Sequence, residues 1–72
     1  MTTLAHTLTA IRSLQRRTKD PEIKSQLGCH YTQWERLHDP ETPYLRRLFI
    51  VNDMKVTRAR LQARGVQLHG DK

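Results

Sequence analysis

The side chains best equipped to address a partner stand close together: His30, Tyr31, Thr32, Gln33 and Arg36, spaced so that a short helix starting at His30 presents them outward. Glutamine can pair with the edge of adenine and arginine with that of guanine, so this set has the chemistry to read bases in a major groove. A second set is purely basic. Arg16 and Arg17, Arg46 and Arg47, and Arg58, Arg60 and Arg64 flank that stretch on both sides, and guanidinium groups hold phosphates or carboxylates. His30, Tyr31, Gln33, Arg36 and the seven arginines are therefore the candidate partner- or nucleic-acid-binding residues. Arg16 and Arg17 have a plainer role too, because cations at a helix end complement its dipole.

Catalytic chemistry is not expected. The four histidines, one cysteine and seven acidic residues are scattered. Cys29 and His30 are adjacent and there is no second cysteine pair, whereas zinc needs about four ligands. No phosphate-cradling glycine loop, HExxH or GxSxG occurs, and Cys29 has the apolar, inward character of an inert thiol. The chain reads as a non-enzyme with no cofactor and no metal.

The elements that must position these residues centre on Pro21 to Leu37. Ile23 and Leu27 lie one helical turn apart, as do Trp34 and Leu37, with Gly28 between the two pairs. A glycine there can leave a first short helix with positive φ at little cost, Cys29 turning inward and His30 opening a second helix. Any three-helix bundle with a glycine between two short helices would give the same pattern. The succession Leu27, Gly28, Cys29, His30, Trp34 and Leu37 resembles the bacterial and phage helix-turn-helix family. That family usually carries a small residue where this chain has Lys24, which must snorkel outward. The expected fold is all-α: a small helical bundle containing a helix-turn-helix in residues 1–53, followed by a mobile basic C-terminal segment, 54–72, partly helical or disordered.

Around this centre, Leu4, Leu8, Ile11 and Leu14 mark an amphipathic helix, with Thr2 or Thr3 as its cap. Asp20 before Pro21 is a helix start, since aspartate caps free amides and proline has none to leave unsatisfied. The same device recurs at Thr42 and Pro43, after His38-Asp39-Pro40. Tyr44, Leu45, Leu48, Phe49 and Asn52 then fit a helix that closes the core. Residues 46–58 have a second reading, two strands joined at Asn52-Asp53, because Ile50, Val51 and Val56 are β-branched. Pro43 and the spacing of Leu45, Leu48 and Phe49 favour the helix. A last helical pattern runs from a cap at Asp53 to a terminator at Gly65 and is thin in apolar residues. No internal repeat or low-complexity tract is present.

Thirteen Lys and Arg against seven Asp and Glu give a net charge of +6 and a pI of about 10.3. The charge is uneven: +3 over residues 1–24, −2 over 25–43 and +5 over 44–72. Basic surface favours phosphate-rich or acidic partners. Glu35, Asp39 and Glu41, on and just after the would-be reading helix, repel phosphate and weaken a purely DNA-binding reading. With 72 residues the core must be small and stability marginal. A lone cysteine needs no oxidising compartment, and neither a membrane span nor a leader pattern is seen, so a cytoplasmic location is expected.

In its size, charge and small helical module, the whole chain resembles the RNA-polymerase-binding transcription regulators of lytic phages of Xanthomonas. The resemblance implies binding to host polymerase near the β′ N-terminal region and the RNA exit channel, interference with σ-dependent initiation, and antitermination during elongation. It carries no residue roles. A sequence-specific helix-turn-helix repressor and a protein adaptor unrelated to transcription are the alternatives.

Overall fold

Asp20 and Pro21 begin the central helix as their chemistry dictates. The Asp20 carboxylate accepts hydrogen bonds from the amides of Glu22 at 2.9 Å and Ile23 at 3.4 Å, and Pro21 takes the first helical position. The structure, a computed structural model, describes residues 4–66 and contains three helices: α1 (Leu4–Arg17), α2 (Pro21–Leu37) and α3 (Tyr44–Ala63). Among the described residues there is no strand. The suggested N-cap at Thr2 or Thr3 and the expected mobility beyond Val66 lie outside them.

The turn expected at Gly28 is absent, and with it the helix-turn-helix. α2 runs unbroken from Pro21 to Leu37, and Gly28 has no positive φ. Ile23, Leu27, His30, Tyr31 and Trp34 form one stripe along a single helix, at i, i+4, i+7, i+8 and i+11, and burying that stripe outweighs the ~1 kcal/mol that an interior glycine costs. Gly28 serves a close approach instead. A Cβ there would sit 3.0 Å from Nε2 of Gln15 on α1, whose amide donates to the Lys24 carbonyl at 3.2 Å. Lys24 thus offers its backbone to α1 while its side chain stays exposed. Cys29 is exposed as well, against the expectation that it turns inward, because a continuous helix carries it away from the Leu27 face.

α1 and α3 each lie along α2 rather than against one another. Ile11, Leu27 and Leu61, one from each helix, form the buried cluster, with Leu14, Ile23, Tyr31, Trp34 and Val66 packed against it. Ile50 and Met54 extend the buried seam between α2 and α3.

The connection from α2 to α3 is a tight polar turn. The Asp39 carboxylate accepts from the Glu41 amide at 2.9 Å, and the Thr42 hydroxyl donates to the Arg36 carbonyl at 2.8 Å. Thr42 therefore closes α2 rather than opening α3, and Pro43 stands just before α3 as an extended N-cap residue without a side-chain cap bond.

α3 then continues through Asn52 and Asp53, so neither the strand pair nor a helix start at Asp53 exists. Asp53 instead lends its carbonyl to the Thr57 hydroxyl at 3.1 Å. The division between a core domain ending at residue 53 and a basic arm falls inside this helix, where Met54, Thr57 and Leu61 are buried. The stop at Gly65 is as expected. With φ of 81° it lets its amide reach the Gln62 carbonyl and the Val66 amide reach the Leu61 carbonyl, both at 3.0 Å, a Schellman ending with Val66 folded onto the core.

Candidate interaction surface

α3 is apolar on two opposite sides. Ile50, Met54, Thr57 and Leu61 recur at i, i+4, i+7 and i+11 and face α2. Tyr44, Leu45, Leu48, Phe49 and Val56 recur on the other side and point away from the rest of the molecule, with Val51 at the edge of the patch. Tyr44, Leu45 and Phe49 are 72%, 68% and 67% exposed, whereas Leu61 is 1% exposed. The residues that the sequence assigns to closing the core are thus the outward ones. Each side alone has helical spacing, and α2 fits the narrower stripe of Ile50, Met54 and Leu61.

The outward patch gathers six exposed apolar side chains, two of them aromatic, on one side of a single helix. Asn52 and Lys55 lie within it. Arg46, Asp53 and Arg60 follow one edge, and Arg47 and Arg58 lie along the other. Arg47 also reaches back to the loop, its Nη2 donating to the Asp39 carbonyl at 3.1 Å. On the Arg46 side an open cleft of about 620 Å³ separates α2 from α3, lined by Cys29, Arg36, Asp39, Arg46, Ile50 and Asp53 among others.

The residues read from sequence as a base-reading set are not one surface. His30 is 2% exposed, and its Nε2 accepts a hydrogen bond from Nε1 of Trp34 at 3.0 Å. That bond places the ring proton on Nδ1. Burial, and then the positive charge of Arg58, push the His30 pKa below the usual histidine range. Gln33 is turned inward, donating from Nε2 to the Thr57 hydroxyl at 3.2 Å across the α2–α3 seam. Tyr31 is half-buried with the Arg12 guanidinium 4.1 Å above its ring centre. Arg36 is exposed near the end of α2, and Thr32 returns its hydroxyl to the Gly28 carbonyl.

The arginines are dispersed. Arg16 borders a shallow cavity of about 390 Å³ with Arg12 and Tyr31, and Arg17 donates from Nε to the Ser13 carbonyl at 3.4 Å. Arg64 is used structurally: it pairs with Asp20 at 2.7 Å and Glu22 at 2.9 Å, tying the end of α3 to the start of α2. The Glu22 and Asp20 carboxylates raise the Arg64 pKa. The Glu22 amide, then the Ile23 amide and Arg64, lower that of Asp20 against a smaller opposing effect of desolvation. Arg46 and Arg60 border the apolar face of α3 on one edge, and Arg47 and Arg58 border it on the other. The sequence does not mark that face as outward, because Tyr44, Leu45, Leu48 and Phe49 have the spacing of a core stripe; Val56, in line with Leu45 and Phe49, continues it along the helix.

Among the described residues no cluster of His, Cys, Asp and Glu could hold a metal ion, and no helix is long and apolar enough to cross a membrane. Comparison with known proteins finds no family model that matches the chain, no matching curated protein and no matching solved structure.

Proposed function

We propose that the chain is a protein-binding transcription regulator, phage-encoded, which acts in the bacterial cytoplasm on host RNA polymerase, inhibiting initiation and promoting antitermination. The observation that supports a protein partner is the outward face of α3, where the largest apolar side chains of the helix face solvent. Polymerase as the machine, near its β′ N-terminal region and RNA exit channel, rests on the resemblance of the whole chain in size, charge and helical make-up. Reading of DNA sequence finds less support. With α2 continuous there is no separate recognition helix, and His30 and Gln33 are bonded within the protein.

The test is retention of purified bacterial polymerase holoenzyme by the immobilised chain, followed by transcription from a σ-dependent promoter and read-through at a terminator. Retention, reduced initiation and increased read-through are expected. Free duplex DNA should bind at micromolar or weaker affinity and weaken steeply with salt. Selection of one operator at about 10⁻⁸ M or tighter, without retention of polymerase, would leave a repressor instead.

A further inference from the structure

We propose that the outward face of α3 docks an amphipathic helix of a partner protein, one whose apolar stripe is edged by aspartate and glutamate. This rests on the protein-binding reading above, though not on the identity of the machine. From Tyr44 to Val56 the face spans about three turns, or roughly 18 Å, enough to lie along a partner helix of similar length. Its charges select the occupant. α3 carries Arg46, Arg47, Lys55, Arg58 and Arg60 against the single acid Asp53; Arg46 and Arg60 are exposed on one edge of the face, and Lys55 is exposed within it. Cationic edges beside an apolar stripe are complementary to carboxylates in the same places on the other helix.

The same charges argue against other occupants. A second copy of α3 would bring basic edges against basic edges, with one aspartate per copy to offset them. A single nucleic-acid strand would satisfy the arginines but stacks its bases on aromatic rings, and four of the six apolar side chains, Leu45, Leu48, Val51 and Val56, are aliphatic. A helix lying in a bilayer surface keeps its cations opposite its apolar face. In α3 the opposite side is packed on α2, and Asn52 and Lys55 sit in the middle of the patch.

The probe is a synthetic amphipathic peptide of about 18 leucines and glutamates, long enough for the whole face, compared with the same peptide carrying lysine for glutamate. Each is titrated into the full isotope-labelled chain, reading amide shifts and affinity. The glutamate peptide should bind at least about tenfold tighter, lose that margin as salt rises, and shift amides from Tyr44 to Val56. The double variant Leu45→Ser, Phe49→Ser should abolish binding while keeping the thermal melt. Equal binding of the two peptides, binding of neither, or shifts centred on α1 would overturn the proposal. So would a concentration-dependent dimer that the double variant dissolves, or binding to phosphatidylglycerol vesicles or single-stranded RNA, abolished by that variant, where the peptide does not bind. Peptide binding without polymerase retention discards the machine and keeps the surface; polymerase retention that survives the double variant does the reverse.

Discussion

His30, Trp34 and His38 show how a few atoms fix the middle of α2. The indole N–H of Trp34 donates to His30, the two rings meet edge to face, and the His38 ring stacks on the indole with centroids 5.6 Å apart. Protonating His30 puts a second donor where Trp34 already points one. Its folded pKa is lowered and the unfolded value is near 6.5, so the unfolded chain takes up the proton first. The His30 contribution to stability is then fully present above about pH 6.5 and is lost as pH falls toward the folded pKa. Urea denaturation at pH 7.5 and 5.5 should show lower stability at 5.5, and His30→Gln should reduce the difference; an unchanged difference would mean that other groups cause it. Trp34 reads from its spacing as a core residue, and it is half-buried, packed against the core cluster. Its hydrogen bond to a buried histidine was not legible, because His30 reads equally well as a surface polar residue. Trp34→Ala removes a half-buried indole and the donor to His30, and should cost about 3 kcal/mol, measured by urea denaturation.

At the scale of the helix, some local signals hold and others do not: Asp20-Pro21 and Gly65 mark real ends, whereas Thr42 closes α2 instead of capping α3 and Asp53 lies inside a continuous helix. Asp20-Pro21 and Gly65 specify a start and a stop through atoms within a few residues, and both are where the sequence places them. Gly28 is different. Its reason is Gln15 of another helix, which no local pattern contains. Gly28→Ala should accordingly be nearly neutral. The alanine gains about 1 kcal/mol of helix propensity while the flexible Gln15 amide must shift and weaken its bond to Lys24. In a Gln15→Ala background the same change should stabilise by about 1 kcal/mol. A loss of more than about 1 kcal/mol in that background, seen by thermal melting, would restore a turn at Gly28. Gly65→Ala should lose about 1 kcal/mol, since its backbone and not its surroundings forbids a side chain.

At the scale of the molecule, the three helices of the described residues leave a small buried cluster and place a large apolar stripe outside. The all-helical class was legible from periodicity. The orientation of α3 was not, because two opposite stripes each satisfy helical spacing and only packing against α2 chooses between them. The functional reading depends on that choice: if Tyr44, Leu45, Leu48 and Phe49 were core, no docking face would exist. Phe49 and Ile50 are neighbours in the chain with opposite surroundings, Phe49 67% exposed and Ile50 8%. Urea denaturation of Phe49→Ser and Ile50→Ser, side by side, tests the account most directly. It predicts a change within about 0.5 kcal/mol for Phe49→Ser and a loss of 2 kcal/mol or more, roughly, for Ile50→Ser. The reverse order would put the aromatic face inside and contradict it.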